Sequence, residues 1–193
     1  DYMVQVMSQA GMDVKVWPYD VYLPNHPGKS ELQIISPVQL TLSQKEGELA
    51  EDPFSTDPRL HLGFNAFSGS GDVTAEVVYV NYGTREDFMK LVEMGVPLKG
   101  KVAIARYGGN FRGYKAKFAE QQGMVGLVVY TDPKDSGFTR GDVYPKGPYY
   151  NETTIQRGSM LTLDFTGDPL TPNRPALPLD GPVKVKRDDP ATV

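Results

Sequence analysis

The stretch AEVVYVNYGTREDFMKLVEMGVPLKGKVAIARYGGNFRGYKAKFAEQQGMVGLVVY, residues 75–130, decides how this chain folds. It opens with an apolar run of strand length, Ala75 to Val80. The spacing then predicts a helix over Thr84 to Met94. Thr84 is its N-cap, with Asp87 three residues on as a variant capping box; Phe88, Leu91 and Val92 form the inward stripe, and Gly95 stops the helix. Lys101 to Arg106 predicts a second strand, Tyr114 to Gln122 a second helix closed by Gly123, and Gly126 to Tyr130 a third strand. In the second helix Tyr114 and Phe118 share a face that Ala119 and Gln122 extend, which puts Lys115 and Lys117 elsewhere. Strand, helix, strand, helix, strand implies an α/β domain.

Upstream, Glu46 to Leu62 is acidic and aperiodic, with Pro53 and Pro58 spaced as in an extended connector, so the domain boundary falls there: residues 1–45 on one side and 46–193 on the other. The first block carries a short helix, in which Met3, Val6, Met7 and Ala10 recur at helical spacing before Gly11. Val14, Val16 and Tyr19 to Leu23 then read as a strand, followed by a turn over Pro24 to Gly28 and a second strand from Glu31 to Ile35. Two strands and one helix cannot bury a core, so this block belongs to a sheet whose other strands lie outside it. Downstream, glycine, proline and polar residues dominate Asp132 to Pro178, which predicts long loops with short strands such as Met160 to Phe165. The aromatic stretch Tyr144 to Tyr150 reads either as a recognition loop or as cover for the core.

Composition narrows the function. Of 193 residues, 39% are hydrophobic and 23% charged, as in ordinary globular proteins, and the net charge of -4 argues against a general affinity for nucleic acid. The basic cluster Lys184 to Arg187 runs straight into Asp188 and Asp189 and reads as a solvated tail. The absence of cysteine excludes disulfides, thiolate zinc sites and a cysteine nucleophile. No apolar run is long enough to span a bilayer, so no transmembrane segment is expected in this chain, and no signal core opens it.

A catalytic zinc needs about three converging ligands, and His26 and His61 are the imidazoles available, neither with a partner at ligand spacing. Ser68-Gly69-Ser70-Gly71 lacks the strand-to-helix elbow of a serine nucleophile and reads as a turn. The sequon Asn151-Glu152-Thr153 is weak by chance frequency. More informative is Tyr107-Gly108-Gly109-Asn110-Phe111-Arg112-Gly113, between a predicted strand and a predicted helix, where backbone N–H groups and the helix dipole can face an anion. It is not a phosphate loop, because Tyr114 and Lys115 stand where Lys and Ser or Thr are required. Arg112 reads either as a bidentate carboxylate partner or as an exposed arginine packing its stem at a helix start.

Val78-Tyr79-Val80-Asn81-Tyr82-Gly83, Gly100 to Gly108, Phe111-Arg112-Gly113, Tyr130-Thr131-Asp132-Pro133, Gln156-Arg157-Gly158 and Gly167-Asp168-Pro169-Leu170-Thr171-Pro172 follow one another in the order of the glutamate carboxypeptidase II family. The resemblance runs through most of residues 70–175, and Asp20 to Leu23 with Leu32 to Ile35 resemble the first strands of that family's peptidase domain. It implies a protease-associated domain, a mixed β-sheet or open barrel flanked by short helices, joined to a fragment of an α/β peptidase domain.

The resemblance further implies an exported parent, periplasmic or extracellular, usually a homodimer. Such a parent hydrolyses peptides with two zinc ions whose ligands are not in this chain, which contributes no catalytic residue. This segment would shape the substrate cavity beside the remainder of the peptidase domain. Phe111 and Arg112 match the pair that lines the pocket for a C-terminal glutamate, the arginine pairing with the carboxylate of the peptide substrate. Thr171 matches a contributor to a structural calcium site, although Arg174 replaces the tyrosine expected three residues later. The loop Lys146 to Ile155 departs from the family's glycine-rich version. A non-catalytic protein-interaction module of the transferrin-receptor branch is the alternative.

Overall fold

The computed structural model describes residues 1–17, 28–162 and Asn173. The chain divides into two units, Asp1–Leu23 with Leu163–Val193, and Pro24–Thr162. In the first unit, Tyr2–Gln9 forms helix α1, after which Gly11 takes φ +83°, as the apolar spacing predicts. The expected strand over Tyr19 to Leu23, the turn containing His26, and Thr171 lie outside the described residues. No helix among the described residues is long and apolar enough to cross a membrane.

The second unit is organised by a parallel sheet whose strands β4 (Val77–Tyr79), β5 (Val102–Arg106) and β6 (Gly126–Tyr130) lie side by side in that order. Helices α2 (Arg85–Glu93) and α3 (Arg112–Gln121) make the two crossovers and touch each other. Successive right-handed crossovers in one direction place both helices on the same face of a sheet. There Val80, Phe88, Leu98, Ala103, Ala105, Ala119 and Met124 form the buried core. Ala103 and Ala105 alternate inward along β5, and their small side chains leave room for α3. On the opposite face Val77 and Tyr79 remain 60% and 50% exposed.

The start of α2 forms as its sequence dictates. The Thr84 hydroxyl accepts from the Asp87 N–H at 3.2 Å, and the Asp87 carboxylate accepts from the Thr84 N–H at 3.0 Å, a reciprocal box. Gly95 follows at φ +71°. Phe88 is buried and Leu91 packs against the core, but Val92 is exposed, so the inward stripe is narrower than expected.

Two expectations fail for physical reasons. Helix α3 buries Lys115 and Ala119, four residues apart, while Tyr114 stays half-exposed and stacks on Phe118. Hydrophobicity alone assigns Tyr114 to the inner face; Lys115 takes it instead because its Nζ donates to the Tyr82 and Gly108 carbonyls and to Asn110 Oδ1. The acidic segment after residue 45 is not a free connector either. It holds a 3-10 turn at Pro53–Thr56 capped by Asp52. Glu46 accepts from the Ile155 N–H and the Arg157 guanidinium, both at 3.0 Å, and Gly47 N–H donates to Thr153 Oγ1 at 2.9 Å.

Around the sheet lie short pieces: β1 (Gln33–Ile34) antiparallel to β2 (Leu40–Thr41), β3 (Asn65–Ala66) parallel to β7 (Gly158–Ser159), and α4 (Pro133–Ser136). Of the short strand expected over Met160 to Phe165, Leu163 to Phe165 lie outside the described residues, and Met160 to Thr162 follow β7 without strand pairing. Tyr144 to Tyr150 packs against the Asp52 turn, to which the Tyr144 hydroxyl donates at 3.4 Å.

Candidate functional site

The parallel strands end, at their carboxyl ends, in the segments that carry polar chemistry: Tyr82 after β4, Tyr107 to Phe111 after β5, and Thr131 to Asp135 after β6. Crevices in this position are where open α/β sheets take ligands.

Lys115 organises this end. Fully buried, it sends its Nζ to the Tyr82 carbonyl, to the Gly108 carbonyl at 2.7 Å and to Asn110 Oδ1 at 2.8 Å. Burial pushes its pKa down to about 8, against the pull of the Asp87 carboxylate. The loop it clasps passes through Gly109 at φ +77°, where a Cβ would also come 2.8 Å from that of Tyr82.

A second network lies beside it. The Arg106 guanidinium binds Asp135 at 2.7 Å and Asp132 at 3.3 Å, and stacks 4.4 Å over the Tyr82 ring. The Tyr82 hydroxyl donates to Asp135 at 2.9 Å, and the Tyr130 hydroxyl to Asp132 at 3.1 Å. Burial acts to raise the Asp135 pKa, but Tyr82 and Arg106 hold it below the ordinary carboxylate value. The hydrogen bond to Asp135 raises Tyr82, and burial, with the tyrosine and aspartate neighbours, raises Tyr130. Arg106 is raised overall because its two aspartates outweigh its desolvation.

Phe111 and Arg112 stand at the N-cap and first residue of α3. Gly113 brings this helix start against the 158–162 segment: a Cβ there would meet the Met160 carbonyl at 2.5 Å. Arg112 Nη2 donates to Gln156 Oε1 at 2.6 Å, and its guanidinium lies 5.4 Å from the Tyr107 ring and 5.7 Å from the Phe111 ring. It rests over Gly158, where any Cβ would overlap it. The Tyr107 hydroxyl fixes the same segment by donating to the Gln156 carbonyl at 3.0 Å. Arg112 Nε is buried with no protein partner, and Phe111 is 40% exposed beside it.

Phe111 and Arg112 therefore sit together, while Thr171 falls outside the described residues. Sequence reasoning missed Gln156, Tyr107 and Gly158 as partners of Arg112, and Lys115 as the clasp. Gln156-Arg157-Gly158 was visible as a motif, but nothing local says that its amide reaches an arginine 44 residues away. Among the described residues no group of three or more His, Cys, Asp or Glu could hold a metal ion.

The PA domain family matches residues 73–163. Over 171 residues, 85% of this chain, the sequence is 44% identical to the "Probable glutamate carboxypeptidase" of Arthroderma benhamiae. The chain carries the PA domain of the glutamate carboxypeptidase II-like family. Other relatives of this domain are the "Glutamate carboxypeptidase 2 homolog" of Caenorhabditis briggsae, 43% identical over 88% of this chain, and the mouse "Aminopeptidase NAALADL1", 33% identical over 89%. The chain spans 23% of the length of the first two and 24% of the third. The α/β sheet with its two crossover helices, β4 to β6, lies within the PA match.

Proposed function

We propose that this PA domain supplies the carboxylate-binding wall of a zinc-dependent carboxypeptidase or dipeptidase, with residues 1–45 a fragment of the peptidase domain and 46–193 the PA domain. Arg112 pairs with the C-terminal carboxylate of a peptide substrate and Phe111 packs beside it. The observation that carries this reading is the half-buried Arg112 guanidinium, held by the neutral Gln156 amide and packed over Gly158 beside the exposed Phe111 ring.

The chemistry assigned to this chain is binding and orientation. Gln156 offers a neutral oxygen to Arg112, so the guanidinium keeps its full charge for the substrate, whereas a carboxylate there would neutralise it. A half-buried position strengthens the pairing, and the exposed Phe111 ring excludes water from one side of it. Two zinc ions would activate the water in the parent enzyme; they find no ligand set among the described residues, and no step through them is assigned to this chain.

The names of the relatives divide between carboxypeptidase and aminopeptidase, and the test separates these. In the full-length parent, Arg112→Ala raises KM for peptides with a free C-terminal carboxylate by about 10- to 100-fold, the worth of a charge-assisted hydrogen bond. The same peptides capped as C-terminal amides respond equally poorly to both enzymes. An unchanged KM for the free carboxylates overturns the reading.

A further inference from the structure

The Arg112 guanidinium is anchored by Gln156, whose Oε1 accepts from Nη2 at 2.6 Å. That anchor is only as firm as the backbone that carries it. Residues 155–157 belong to no helix or strand, and strand pairing begins at Gly158, where β7 meets β3. Side chains from elsewhere in the chain fix the three residues instead.

Glu46 supplies the hold on one side. Its Oε1 accepts from the Ile155 N–H and its Oε2 from Arg157 Nη1, both at 3.0 Å, so a single carboxylate grips the residue before Gln156 and the residue after it. Arg157 Nη2 donates in turn to the His61 carbonyl at 2.7 Å. Next to Glu46, the Gly47 N–H donates to Thr153 Oγ1 at 2.9 Å. Ile155 packs on Gly63, where a Cβ would come within 2.9 Å of it, and the Gly63 N–H donates to the Gln44 carbonyl at 2.7 Å. Residues 153, 155 and 157 are thus tied to the 44–63 segment. Gln156 is held from the other side, where its carbonyl accepts from the Tyr107 hydroxyl at 3.0 Å and its side chain meets Arg112. The Glu46 and Arg157 side chains are 34% and 31% exposed, so water and salt screen their charge-assisted bond less than they would on an open surface.

We propose that Glu46 is a positioning residue for Arg112: by clamping Ile155 and Arg157 it fixes Gln156, and through Gln156 the direction in which the guanidinium presents its N–H groups. An error of about 1 Å in a supporting group is enough to loosen a site that is otherwise complete. The consequence for peptides rests on the carboxylate reading of Arg112; the consequence for the guanidinium does not.

In the 193-residue chain, Glu46→Ala shifts the Arg112 Nε–H and the Gln156 side-chain NH2 resonances, and Glu46→Gln, which keeps an oxygen for the Ile155 N–H, shifts them less. In the full-length parent, Glu46→Ala raises KM for free-carboxylate peptides about fivefold with kcat unchanged, and it adds nothing further once Arg112 is alanine. Two results overturn the proposal. One is that neither resonance moves in Glu46→Ala; the other is that the KM effects of Glu46→Ala and Arg112→Ala multiply as independent ones do, which is what a merely structural glutamate gives. Should Glu46→Ala fail to fold, Glu46→Gln decides by the same resonances, a shift supporting the role and no shift overturning it. If Arg112→Ala itself leaves KM unchanged, the carboxylate reading falls and the resonances alone decide the role of Glu46.

Discussion

Lys115 and Arg112 are two cations three residues apart on one helix, and the regions around them are built differently. Lys115 is fully buried, and its hydrogen bonds go to three oxygens of the loops at 82 and 108–110. Arg112 is half-buried, spends one nitrogen on Gln156 and keeps Nε unpaired. The first arrangement uses its N–H donors to hold two loops together; the second leaves a guanidinium anchored by a single neutral amide. Between the sheet and its two helices apolar side chains interlock, whereas the unpaired polar atoms among the described residues lie at the first residue of α3 and on the rim at 44, 65 and 131. A domain can keep unsatisfied groups at its rim only if its core is secure.

Breaking the Lys115 side has the largest expected effect. Lys115→Met takes the Nζ donor from the Tyr82 carbonyl and Asn110 Oδ1, both in half-buried residues, and costs about 2–3 kcal/mol, measured by urea unfolding at pH 7. The pH dependence sharpens the point. The folded pKa of about 8 lies below the ordinary 10.5, so between these values the unfolded chain binds more protons than the folded one. Stability attributable to Lys115 therefore rises as pH goes from about 8 to about 10.5, and the gap between the chain and Lys115→Met widens. A gap that narrows over that window would show that the ammonium, not the amine, is the form the fold prefers.

On the Arg112 side, Gly158→Ala inserts a methyl where the guanidinium lies. KM for free-carboxylate peptides in the full-length parent rises about tenfold, equivalent to about 1.4 kcal/mol, while urea unfolding of the chain changes by less than that. The Arg112 Nε–H resonance moves in the variant. A large loss of stability with unchanged KM would place Gly158 with the core and not with the site.

The smallest effect belongs to the capping box. Thr84→Ala removes the hydroxyl that receives the Asp87 N–H and costs about 1 kcal/mol of stability, with KM in the parent unchanged. Asp87 is held below its ordinary carboxylate value, since its bonds from Asn81 and Thr84 outweigh its burial. Its contribution is present above the ordinary Asp range and lost as pH falls through the lower folded value. In acid, therefore, Thr84→Ala and the unaltered chain converge in unfolding midpoint.

What sequence alone determined is the framework of β4 to β6 and α2, α3. Strand Gly126–Tyr130 matches its predicted limits, and the Thr84 box forms because both partners lie within one helical turn. Local geometry there leaves one solution. Arg112 was legible from its place between a strand end and a helix start only as one of two readings, and Phe111 became a candidate only through the family resemblance. Only tertiary structure decided that Lys115 turns inward and Tyr114 outward, that Glu46 clamps Ile155 and Arg157, and that Gln156 and Gly158 hold Arg112. Each depends on a group more than 30 residues away or on a backbone carbonyl, and carbonyls are the same in every sequence. Hydrophobic periodicity reports which side chains avoid water; it is silent on which buried oxygens need a partner, and that need chose the inner face of α3 and the place of its arginine.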